Sequence, residues 1–224
     1  MYCIKNKLIS SLYRVILLFI CGYCLLLHFT PKDYSHNLYM LGYFTILSNI
    51  FCLLMLLVPP YTDNVTFHFF YGMSLAAILL TFFVYHFVIV EPDCSIFSLK
   101  ILTRPACDLL AHYIIPILYV LYWLLFIPKL HYKYYYPLTW TLYPFLYFLV
   151  TMWRVYLAPK KSLLHLSSYP YFFLDIDKQG LCRFIGYLFG ILTAVIIIGY
   201  VILLLERLYI ALCRVIAYLY HLLL

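Results

Sequence analysis

Three hydrogen-bonding side chains, Thr45, Ser48 and Asn49, interrupt an otherwise apolar run from Leu38 to Val58. A run of that length crosses a bilayer as a helix, because about 20 residues at ~1.5 Å each match a hydrocarbon core of ~30 Å. In hydrocarbon an unmet hydroxyl or amide is costly, so such groups face other helices, a cavity or a site. A threonine hydroxyl becomes a nucleophile only when a base within hydrogen-bond reach removes its proton. Histidine is the usual base, and His112 is the candidate. Asp108, one turn earlier at i−4, is the candidate that orients the imidazole, which gives Thr, His and Asp the roles of a hydrolase triad. Asn49, one turn beyond Thr45, is positioned to donate to a developing oxyanion, and Ser48 is the fallback nucleophile. On residue types alone the commoner role of a threonine in a spanning helix is packing, through its own i−4 carbonyl or a neighbouring helix.

The elements that must carry these residues follow from composition. The 224-residue chain is 67% hydrophobic and 10% charged, where soluble domains carry about 25% charge. The expected fold is all-α: one polytopic membrane domain, 1–224, built as a bundle of about six transmembrane helices. The spans are expected at 15–29, 38–58, 67–90, 108–126, 136–157 and 184–205, with 206–224 as an interfacial or extended helix. Lys5, Lys7 and Arg14 before the first apolar run imitate a secretory signal peptide. No small-residue cleavage site follows, so a retained helix is expected. Tyr clusters at 132–136 and at Tyr169 and Tyr171 suit the headgroup zone.

With six alternating spans, the loops before spans two, four and six share one membrane face. Thr45 then lies about 10 Å deep and His112 about 6 Å deep from that face, so the two can meet in one leaflet. Basic residues are nearly balanced across the two faces. The short segments favour cytoplasmic termini, in a plasma membrane or bacterial inner membrane.

The formal charge of +7 is scattered one or two residues at a time between apolar blocks, with no basic helix face. That pattern anchors a protein to lipid headgroups and excludes nucleic acid as a partner. Cys21, Cys24 and Cys52 lie within spans as buried small hydrophobes, and Cys94 and Cys107 share a loop in which they could pair. Neither a cofactor nor a resident metal is called for.

Three segments, Tyr43-Phe44-Thr45-Ile46-Leu47-Ser48-Asn49, His112-Tyr113-Ile114-Ile115-Pro116 and Tyr169-Pro170-Tyr171-Phe172-Phe173-Leu174-Asp175, resemble in order the motifs of the androgen-induced integral membrane protein family and its microbial six-span relatives. Animal members hydrolyse fatty acid esters of hydroxy fatty acids with an intramembrane Thr and His. The resemblance implies that Thr45 and His112 hold those positions, that the partners are membrane lipids and the substrate a lipid ester. The Ile-Leu-Ser-Asn continuation after Thr45 is closer to the microbial branch, and His112 to Pro116 is one residue shorter than in the animal proteins. The Tyr-Pro-Tyr loop reads as a proline-fixed turn without a catalytic role.

Two other classes stay open. A metal-dependent membrane hydrolase would draw on His28, His36, His86, His112, His165 and Asp175, three of which could hold zinc. A non-enzymatic lipid-binding or transport protein would need no nucleophile, and no internal repeat supports it.

Overall fold

A computed structural model describes residues 6–29, 34–60, 64–89, 103–129, 131–157 and 169–223. Apolar blocks fold as helices because hydrocarbon leaves backbone groups no partner outside their own segment. The first helix, α1 (Lys7–His28), starts where the Asn6 side chain accepts from the Leu8 and Ile9 N–H groups. Helices α2 (Tyr34–Met40) and α3 (Phe44–Leu57) follow, then α4 (Val65–Ile89) and α5 (Ala106–Phe126). Helices α6 (Tyr136–Trp140) and α7 (Leu142–Leu157) lead to a short turn at Phe172–Leu174, α8 (Ile176–Gln179) and α9 (Leu181–Leu223).

Among the described residues, α1, α4, α5 and α9 are each long and apolar enough to cross a membrane, and the bent pair α2 and α3 brings the number to five. Large apolar side chains stand outward on these helices, including Phe19, Leu26, Trp153 and Leu204, as a lipid-facing surface requires. The chain is thus an all-α polytopic membrane bundle.

Two expected spans are reshaped. The run over 38–58 is not one helix: α2 and α3 meet at 80° across Leu41–Tyr43. Gly42 is closely packed in the corner. A Cβ there would lie 2.7 Å from Arg154 Nη1 and 3.0 Å from the Tyr39 carbonyl, while Tyr147 donates to the Gly42 carbonyl at 2.9 Å. The run over 136–157 is split into α6 and α7, the longer of 16 residues. At the C-terminus, of the two expected forms, the last span simply extends. Helix α9 runs 43 residues, about 65 Å at the helical rise.

Helix α4 is the hub, packing on α3, α5 and α9, while α1 packs on α3 and α5. Two single π turns, Tyr85–Ile89 closing α4 and Leu110–Ile114 inside α5, lie side by side at one end of the bundle, where Tyr85 stacks on His112. The loop 91–102 with Cys94 and Lys100, the connection 30–33, and Lys160, Lys161 and His165 lie outside the described residues. Cys107 carries a free thiol.

Candidate active site

Helix α3 begins at the 80° corner, so Thr45 is the second residue of a new helix rather than the middle of a long one. The first-turn N–H groups of any helix lack carbonyl partners within it, and Tyr43 offers no side-chain cap. Thr45 therefore brings together a hydroxyl and a first-turn N–H that has no carbonyl partner within its own helix. His112 sits in the π turn of α5, and π turns recur at functional sites because they displace one side chain from the regular helical ladder.

The two meet. Thr45 Oγ1 lies 3.2 Å from His112 Nε2, and both residues are buried, at 8% and 7% exposure. His112 Nδ1 lies 3.0 Å from the Asp108 backbone carbonyl. A carbonyl can only accept, so Nδ1 carries the ring proton and Nε2 of the neutral ring is the acceptor. Thr45 must then donate to Nε2, the direction in which a base removes a proton.

A third side chain arrives from the opposite end of the sequence. Tyr171 Oη lies 3.3 Å from both Thr45 Oγ1 and Thr45 N. The amide can only donate, so Oη accepts from it. The Thr45 proton is committed to His112, so the phenol proton points at Thr45 Oγ1. Each proton in the series therefore has one direction: Thr45 N–H to Tyr171, Tyr171 to Thr45 Oγ1, Thr45 to His112, His112 to the Asp108 carbonyl. Burial pushes the Tyr171 phenol up from its usual value, with the bonds from Thr45 pulling the other way, so it stays protonated and able to donate. Rings pack it in place, Phe173 stacked at 5.0 Å and Tyr43 edge-on at 5.5 Å.

The supporting residues differ from expectation. Asp108 orients His112 through its backbone carbonyl and not its carboxylate, because helical side chains lean toward the preceding turn and bring the imidazole onto the i−4 carbonyl. Asn49 does not face an oxyanion position. Its amide donates to the Thr45 carbonyl at 2.8 Å and to the Ala111 carbonyl at 3.4 Å, tying α3 to the π turn that holds His112. Ser48 turns to α4, 2.7 Å from Thr81 Oγ1, and also donates to the Thr45 carbonyl. Neither residue has a free donor for chemistry.

Of the residues considered as metal ligands, His36, His86 and Asp175 are engaged elsewhere, and His165 lies outside the described residues. His86 bonds Tyr113 Oη at 3.1 Å, His36 the His28 carbonyl at 3.3 Å, and Asp175 caps α8 and pairs with Lys178 at 3.1 Å. The described residues group His28 instead with Cys107 and Asp108.

Sequence reasoning missed Tyr171, because docking a loop 126 residues away leaves no periodic trace. The available signal was the apolar Tyr-Phe-Phe-Leu run inside a polar connection, which a solvated loop has no reason to carry.

Two cavities share Thr45, Tyr85, Ile89 and Tyr171. One, about 350 Å³, opens toward His28, Tyr43, Asp108 and His112. The other, about 50 Å³, is apolar and narrow, lined by Phe44, Leu80, Val84, Pro144, Phe148 and Leu188. A groove between α4 and α9, walled by Phe83, Phe87, Tyr187 and Gly190, shares Leu80, Val84, Phe173 and Ile191 with the narrow cavity. Compared with models of known protein families, with curated proteins and with solved structures, the chain matches none.

Proposed function

We propose that this protein is an intramembrane hydrolase of lipid esters, with Thr45 as nucleophile and His112 as general base. The observation that carries the reading is the Thr45 hydroxyl donating to a histidine nitrogen whose tautomer is fixed from behind, at the junction of an open and an apolar cavity. Thr45 Oγ1 attacks the ester carbonyl carbon as His112 Nε2 takes the hydroxyl proton. Negative charge develops on the carbonyl oxygen, toward which the Tyr171 hydroxyl and the Thr45 N–H at the start of α3 would turn from the bonds they make to Thr45 Oγ1 and Tyr171 Oη in the resting site. Collapse breaks the ester C–O bond, the leaving alkoxide takes the proton from His112, and an acyl-threonine remains. Water, deprotonated in turn by His112, releases the acid and restores the hydroxyl.

The apolar lining of the narrow cavity suits the start of an acyl chain, whose remainder would lie along the adjoining α4–α9 groove, while the larger cavity would take the polar part of the substrate. The family resemblance of the motifs around Thr45, His112 and Tyr171 supports fatty acid esters of hydroxy fatty acids as the substrate class.

A fluorophosphonate probe tests the assignment. Wild type and Ser48→Ala label, whereas Thr45→Ala and a folded His112→Ala do not. Labelling that survives Thr45→Ala sinks the proposal.

A further inference from the structure

We infer that His28, Cys107 and Asp108 bind a divalent transition-metal ion, zinc by the chemistry of the ligands, at the mouth of the larger cavity. The three side chains come from two elements, the last residue of α1 and the first turn of α5, and their ligand atoms all lie within 4.8 Å of one another. Zinc with bonds of about 2.0–2.3 Å holds tetrahedral ligands about 3.5 Å apart, so closing on an ion needs movements of little more than ~1 Å. His28 and Asp108 line the cavity, which gives an ion a route in from the surface.

The surroundings suit a metal in three respects. His28 gives Nδ1 to the Cys24 carbonyl at 2.8 Å, the arrangement that fixes a ligating ring and leaves the other nitrogen its lone pair. Asp108 and Tyr85 both border the larger cavity, and Arg104 donates to the Tyr85 phenol at 3.0 Å. The Cys24 thiol reaches the Cys107 carbonyl at 3.9 Å, so one residue of α1 braces both ligand-bearing segments. A neutral imidazole, a thiolate and a carboxylate sum to two negative charges, which a dication cancels in a half-buried cluster. Nitrogen and sulfur in the set select zinc over magnesium or calcium.

The ion would pin the end of α1 to the start of α5. Asp108 then has two attachments, its carboxylate on the metal and its carbonyl on His112 Nδ1, so the metal sets the position of the imidazole one turn away. Metal binding does not depend on the hydrolase reading, and its test uses no activity.

Protein purified in detergent without chelator is analysed for metals. Wild type is expected to carry about one zinc per chain, and His28→Ala and Cys107→Ala at least about tenfold less. Wild type stripped by chelator and reloaded with cobalt(II) gains visible d–d bands and a near-ultraviolet thiolate-to-cobalt band. Cys107→Ala, a change at a half-buried position, keeps a monodisperse folded protein and loses the thiolate band. Wild type without zinc even after incubation with it, or a Cys107→Ala protein with wild-type zinc and the same cobalt spectrum, overturns the assignment.

Discussion

Two of the hydroxyl clusters among the described residues invite comparison, and one of them has the parts to react. At the first, Thr45 meets His112 and Tyr171. At the second, Ser74 on α4 shares its hydroxyl with Tyr119 at 2.7 Å and donates to the Tyr71 carbonyl at 2.8 Å, with the Tyr71 and Tyr119 rings stacked at 4.9 Å. Both serve apolar helices, and both hydroxyls are buried. The second is closed: the hydroxyl has a phenol for a partner instead of a base, and Ser74 lines none of the three cavities described above. At the first, the acceptor is an imidazole nitrogen with its tautomer set, the hydroxyl borders two voids, and the helices are broken or widened around it. A polar residue in a spanning helix is thus not itself a sign of chemistry. The sign is a base, a void and a departure from regular helix at the same point.

The sharpest way to break this contrast is Thr45→Ala. Hydrolysis of a fatty ester by purified protein should fall about 10³-fold or more, since removing the nucleophile of a cooperating set removes nearly all that the set supplies. Turnover within a few-fold of wild type would put Thr45 in the same class as Ser74.

Tyr171→Phe removes one hydroxyl and keeps the ring that packs on Phe173. Loss of a donor that meets charge only in the transition state lowers kcat about 10²-fold with little change in KM. A rise in KM at constant kcat would reassign the phenol to substrate binding.

The contrast also marks what was legible beforehand. Hydrophobic blocks near 20 residues long announce membrane helices, and α1, α4 and α5 fall where those blocks do. Thr45 and His112 were legible as a pair because the motifs around them resemble those of one family and the order of the spans lets them meet in one leaflet, whereas residue types alone favoured a packing role. The 80° corner was not legible, although Gly42 lies in it, because the contact that holds it, the Tyr147 hydroxyl of α7 on the Gly42 carbonyl, comes from tertiary packing. The π turns left no mark either, since their residues are as apolar and aromatic as the helices around them. Helical spacing put Asp108 on the correct face but named the wrong atom, and it could not foresee that Asn49 spends both amide hydrogens on carbonyls.

Asn49→Leu sharpens the comparison from the side of support. The substitution keeps the approximate volume and removes the bridge from α3 to the Ala111 carbonyl, at a cost of about 1–3 kcal/mol in stability. Because that bridge sets the approach of Thr45 to His112, activity per folded molecule falls too, by less than in Tyr171→Phe. Thermal unfolding in detergent, read beside turnover, separates the two effects. A variant of full stability and lowered turnover would return Asn49 to the chemistry.

The smallest change belongs to the closed cluster. Ser74→Ala removes a hydroxyl whose partners are Tyr119 and the Tyr71 carbonyl, and leaves the Tyr71–Tyr119 stack in place. Hydrogen bonds between membrane helices are worth about 0.6 kcal/mol on average and up to about 1.7 kcal/mol, because the unfolded segment also finds partners within the membrane. A modest drop in thermal midpoint with turnover within about twofold of wild type is the expected result. Turnover is the informative half of the measurement. If Ser74→Ala slowed hydrolysis as strongly as Tyr171→Phe while the protein stayed folded, a buried hydroxyl with a phenol for a partner and outside the three cavities described would matter to the reaction, and the rule drawn from the two clusters would fail.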